Sequence, residues 1–154
     1  LLARAFTYKV PDDKKKSIII PVKIGFHPPI NGFPENRKVL LNTKALIDTG
    51  ASGSCISQQF ADAIKLPVIS YGVVRSAQSC DTVPIYTIDL VLPNNVMFSK
   101  ISVTQFNKQA DFDVIIGMDV FMHSDMAITN ADNKMCFSLR IPAGQEHIDF
   151  TKNI

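Results

Sequence analysis

Residues 45–52 read Ala-Leu-Ile-Asp-Thr-Gly-Ala-Ser, an apolar run that ends in a carboxylate, a hydroxyl and a glycine. An aspartate at the end of an apolar strand leaves the sheet at a fixed orientation. A charged group in such a place needs a partner or a working surface. The chemistry open to a single carboxylate is limited, because in one ionisation state it can be a general base or a general acid but not both. Asp48 is therefore either a turn aspartate capping its own backbone, as Asp-x-Gly sequences readily do, or one half of a shared acid–base pair.

Other titratable residues offer no rival constellation. Asp111, Asp113, Asp119 and His123 are divided by the apolar Val114-Ile115-Ile116, which breaks the spacing of a calcium-type loop. Asp113 and Asp119 read as structural or surface residues. His27, His123 and His147 lie far apart, and no serine or cysteine occupies a nucleophile elbow. Cys55, Cys80 and Cys136 have neither the pairing of a disulfide framework nor zinc spacing, which points to a reducing, cytoplasmic setting. Cys55 reads as a buried thiol, whereas Cys80 is expected to be exposed. No metal and no cofactor are called for.

The elements that must position Asp48 follow from composition and periodicity. With 154 residues, 46% hydrophobic and 19% charged, the chain is expected to fold as one domain. A formal charge of +2 with scattered basic residues argues against a nucleic-acid partner, and Lys14-Lys15-Lys16 reads as a solvated approach to a strand. No apolar run approaches the roughly 20 residues of a membrane span, so a soluble protein is expected. A start at Leu1 rather than Met suggests a piece of something longer, so a missing leader carries little weight.

Residues 1–16 read as an arm or first strand, 17–141 as the folded unit and 142–154 as a polar tail. Pro21 inside the β-branched stretch 17–26 favours an edge strand or a bulge. Three prolines and Asn31-Gly32 make 27–37 a long loop. Residues 38–47 form the strand that enters Asp48, and 57–66 form the best helix, with Ser57 as cap and Pro67 as block. Residues 72–77 and 82–92 read as a hairpin with a polar tip, in which Tyr86, Ile88, Leu90 and Leu92 share a buried face. A strand at 96–106, a second apolar strand ending Ile115-Ile116-Gly117, a short helix at 118–123 and strands at 126–129 and 135–141 complete the list. About nine strands without regular strand–helix alternation exclude a doubly wound sheet.

Asp48-Thr49-Gly50 and Ile115-Ile116-Gly117 both end apolar strands, which hints at an internal duplication. Asp-Thr-Gly-Ala-Ser after an apolar strand, a helix ending at Pro67, a polar-tipped hairpin and a later Ile-Ile-Gly, in that order, resemble the retropepsin-like aspartic proteases. Ile56-Ser57-Gln58-Gln59-Phe60-Ala61-Asp62-Ala63-Ile64-Lys65-Leu66-Pro67 is most similar to the bacterial single-domain branch. The resemblance implies a mostly β, single-domain closed barrel with one main helix and a flap hairpin. It implies an endopeptidase with Asp48 as catalytic aspartate, Thr49 bonding across to a partner chain and Gly50 permitting the turn. Ala51 and Ser52 would flank a bound peptide, and Ser76, Ala77, Gln78 and Ser79 would lie at the flap tip.

One Asp-Thr-Gly supplies half of the chemistry. Two carboxylates a few ångströms apart cannot both ionise, so they share a proton and act as base and acid together. A two-fold dimer brings a residue beside its axis against its own copy, so the resemblance implies a homodimer with Asp48 facing Asp48. The expected partner is a polypeptide in extended conformation. Two other readings stay open: a peptide-binding or dimerisation module with little turnover, and a self-processing segment of a larger protein. The resemblance is incomplete in three places: the 27–37 loop is long, the hairpin tip lacks glycine, and the two termini have no clear counterpart.

Overall fold

The computed structural model describes residues 2–14, 17–26, 38–75, 79–107 and 111–153. Among these the chain forms ten strands: β1 Arg4–Lys9, β2 Ile19–Phe26, β3 Val39–Ile47, β4 Cys55–Ser57, β5 Ser70–Arg75, β6 Cys80–Val91, β7 Met97–Phe106, β8 Val114–Ile116, β9 Asp125–Thr129 and β10 Cys136–Ile141. Two short helices, α1 Gln58–Ala63 and α2 Met118–Phe121, accompany them.

Strand periodicity explains the core. In β2, Ile20, Val22, Ile24 and Phe26 point inward and are buried, while Pro21 and Lys23 alternate outward. Tyr86, Ile88 and Leu90 of β6, with Leu92 just beyond it, occupy one buried face as their spacing predicts. These side chains meet Ala45, Ile56, Val103, Val114 and Ile116 inside a closed barrel of strand order β2-β3-β8-β4-β7-β6, with β6 returning to pair with β2. Closure removes the sheet edges within the ring, and β5 hangs outside it on β6. The mostly β closed barrel with one main helix is thus what the chain forms.

The reading of β2 as an edge needs correction. β2 lies between β3 and β6, yet the β6 ladder begins only at Lys23. The Ile18 carbonyl accepts from Ile47 N–H at 2.9 Å, so alternation turns the Pro21 nitrogen to the opposite edge, beyond that ladder's end. The missing N–H therefore breaks no hydrogen bond, and proline is accommodated in an interior strand.

Helix α1 is shorter than its periodicity predicts. Ser57 Oγ accepts from Phe60 N–H at 3.2 Å and caps the start. At the other end Lys65 takes a left-handed conformation (φ 53°), with Lys65 N–H on the Asp62 carbonyl and Leu66 N–H on the Ala61 carbonyl. That pair of bonds is a Schellman turn. It ends the helix at Ala63 and buries Leu66, so Pro67 lies past a stop already made.

A second, three-stranded sheet of order β1-β10-β9 packs against the barrel. Phe6 and Tyr8 turn inward with the buried Phe137 and Leu139, and the Phe6 and Phe137 rings meet edge-on at 6.0 Å. The chain after β10 is tied back by the Asp125 carboxylate, which accepts from Gly144 N–H at 2.7 Å and pairs with Arg140. The expected loop at 27–37 lies outside the described residues. Among the described residues no helix is long and apolar enough to cross a membrane.

Candidate active site

The two apolar strands that end in Asp-Thr-Gly and Ile-Ile-Gly lie side by side. β3 and β8 pair in parallel, with Ala45 opposite Val114, Leu46 opposite Ile115 and Ile47 opposite Ile116. One step further, Asp48 N–H donates to the Ile116 carbonyl at 3.1 Å. Carried past the strand ends, that register sets Asp48 beside Gly117. The barrel therefore delivers a half-buried carboxylate from one strand and a bare backbone from its neighbour.

The turn after β3 is built by Asp48 itself. Gly50 N–H donates to Asp48 Oδ1 at 2.9 Å, and Ala51 N–H reaches the Asp48 carbonyl at 3.3 Å. A Cβ at position 50 would sit 3.2 Å from Asp48 Oδ1, so glycine keeps the carboxylate uncrowded. The bond expected of a turn aspartate is thus present. It engages one carboxylate oxygen, and Oδ2 meets no donor of the same chain among the described residues.

Thr49, Gly50, Ala51 and Ser52 line an open groove of about 440 Å³ together with Met118, Asp119 and Met122. Four of the candidate site residues, Thr49 to Ser52, thus share one groove, and Asp48 adjoins them in the chain. Ser76, Ala77 and Gln78 lie outside the described residues, and Ser79 is exposed immediately before β6. The hairpin itself is formed, with β5 and β6 antiparallel from Ser70 opposite Ile85 to Arg75 opposite Cys80.

Segment 116–119 holds this loop at several points. Met118 N–H donates to the Ala51 carbonyl at 2.8 Å, and Gly117 N–H donates to Ser54 Oγ at 3.2 Å. Ser54, buried, donates its own N–H and hydroxyl to Asp119 Oδ2 and Oδ1 at 3.0 and 2.8 Å. Gly117 is required by close approach: a Cβ there would lie 2.8 Å from the Ala51 carbonyl oxygen and from both atoms of the Gly53 carbonyl.

Asp113 does comparable work one layer down, accepting from Thr43 Oγ1 at 2.8 Å and from Ser57 Oγ at 3.0 Å. Asp111 pairs with Lys44 at 2.7 Å. The acidic residues around Ile-Ile-Gly are thus spread over three separate hydrogen-bonded positions. Cys55 lies beneath the loop with Sγ 3.2 Å from Thr104 Oγ1; burial pushes its thiol up from the ordinary range, and the Asp119 and Asp48 charges add to that. Cys80 is exposed.

Ser54, Met118 and Met122 belong to no motif that the sequence reading singles out. Ser54 and Asp119 are 65 positions apart, and only their equal nearness to a glycine-ended strand could have linked them.

Residues 40–123, more than half of the chain, match the family described as "gag-polyprotein putative aspartyl protease". Among curated proteins none matches. Among solved structures the chain is similar to a retropepsin-like aspartic protease from Rickettsia conorii, at 13% identity and a TM-score of 0.54 over 92% of this chain and 97% of that one. It is also similar to the retroviral protease-like domain of Ddi1 from Leishmania major, at 17% identity and a TM-score of 0.42 over 77% and 93%. The first likeness establishes a shared fold.

Proposed function

This chain belongs to the family of gag-polyprotein aspartyl proteases, and from that membership we propose that it is an aspartic endopeptidase whose site is completed by a second copy. The observation that carries the reading is the state of Asp48. It stands half-buried beside an open groove with one oxygen bonded to its own turn, and its neighbour in register, Gly117, has no side chain. A complementary carboxylate is supplied by Asp48 of the partner copy, as two-fold symmetry allows for a residue beside the axis.

The chemistry then runs through one shared proton. The ionised carboxylate takes a proton from a water whose oxygen bonds to the peptide carbonyl carbon, while the protonated carboxyl gives its proton to the carbonyl oxygen. The tetrahedral intermediate collapses as the newly protonated carboxyl gives its proton to the amide nitrogen, the other carboxylate takes one from a hydroxyl of the intermediate, and the C–N bond breaks. Thr49 braces the loop across the two-fold axis. Ala51 and Ser52 flank an extended peptide, and the β5–β6 hairpin closes over it as a flap.

Asp48→Asn tests this directly. The amide oxygen still accepts from Gly50 N–H, so the turn and the fold should survive, whereas cleavage of an unfolded protein at mildly acidic pH should fall by at least about a hundredfold. Undiminished cleavage sinks the proposal. The Gly50 bond also suits a non-catalytic turn aspartate. A wild-type chain that binds peptide without product, and binds equally as Asp48→Asn, would establish that second reading.

A further inference from the structure

We infer that Asp119 is a positioning residue for Asp48: although it borders the groove, its carboxylate acts by anchoring the loop that carries the aspartate. The inference rests on the reading of Asp48 as catalytic, and it comes from the direction of the hydrogen bonds. Ser54 Oγ accepts from Gly117 N–H, so the one hydroxyl hydrogen is left for Asp119 Oδ1. Oδ1 also accepts from Val120 N–H at 3.1 Å, and Oδ2 takes Ser54 N–H. The carboxylate is thus an acceptor at every contact.

That pattern needs a carboxylate. Asparagine has the same shape but offers one oxygen and an NH₂. If the NH₂ replaces Oδ2 it faces Ser54 N–H, donor against donor. If it replaces Oδ1 it faces Val120 N–H and displaces the Ser54 hydroxyl hydrogen. Ser54 is 1% exposed, so water cannot take over the lost partner without the loop moving. The other ties of residues 48–54 to 116–118 run through Gly117 N–H on Ser54 Oγ, the Asp48 N–H and the Ala51 carbonyl. Losing the Asp119 bonds leaves Ser54 held, among the described residues, only by Gly117 N–H on its hydroxyl and Thr104 N–H on its carbonyl. That loosens the loop, lets the catalytic carboxylate wander and lowers turnover more than binding.

The test is Asp119→Asn in the full chain, with Ser54→Ala as a second probe. We expect kcat to fall about tenfold or more, with KM within about twofold. Amide hydrogen exchange should quicken in 48–54 and stay unchanged in β6. Ser54→Ala should do the same, and the double variant should be no worse than the poorer single one, as for two ends of one bond. An unchanged kcat, or exchange raised evenly through the barrel, overturns the inference. If wild-type cleavage does not depend on Asp48, the catalytic reading fails separately and exchange alone decides: a rise confined to 48–54 upholds the anchor, and no rise overturns it.

Discussion

A methyl group at position 117 would meet three backbone atoms at 2.8 Å, and backbone has no rotamer into which to retreat. Gly117→Ala should therefore push the 51–53 turn away from β8, costing about 1–3 kcal/mol of stability and lowering cleavage with it. Gly53 makes the contrast, since a Cβ there meets nothing within 4 Å. Gly53→Ala should change stability by no more than about 0.5 kcal/mol. Denaturant midpoints of the two variants check both statements, and equal midpoints would show that the close approach is relieved by some other movement. At this scale the sequence is most informative where a motif is contiguous. Asp48, Thr49 and Gly50 announce their turn because the acceptor and its donor are two residues apart. Ser54 and Asp119 do not, because neither residue type says which distant strand end will face it.

Among the elements, β9 and β10 hold the chain that follows them through one carboxylate. The Gly144 N–H and the Arg140 guanidinium together hold Asp125 below the ordinary carboxylate range. A group depressed by folding stabilises the fold above its unfolded value and loses that contribution as pH falls through its folded one. Acidification should accordingly release residues 144–147, seen as faster amide exchange there after correction for intrinsic pH dependence, while Ala143 N–H stays on the His123 carbonyl. Asp125→Asn should show release already at neutral pH and no further change on acidification; protection that persists would remove the carboxylate from the tether. The helix cap at Ser57 and the buried face of β6 were legible because their periodicity and chemistry are local. The ends of α1 and the place of β2 were not. Lys65 enters the left-handed region against its own preference to close the Schellman turn, and Pro21 escapes the edge by facing past the end of a ladder. Both outcomes depend on which strands close the barrel, and no stretch of sequence states β3 against β8 or β4 against β7.

For the molecule as a whole, the proposed pairing makes activity a property of two copies. Mixing wild-type chain with a threefold excess of Asp48→Asn and allowing exchange should reduce activity per wild-type chain to about a quarter under random pairing, because mixed pairs lack one carboxylate. Activity that merely follows the amount of wild-type chain would assign the chemistry to the single copy. The parallel register of β3 and β8 also bears on how such a protein can evolve. Its two glycine-ended strands lie side by side, and a carboxylate on each would be the way for a single copy to cut alone. Here that route is blocked, since the atoms around Gly117 exclude even a methyl group. Independence of a second copy would then have to come from joining two whole genes end to end. The halves of such a fusion could diverge, and a symmetric cleft would be free to become a directional one.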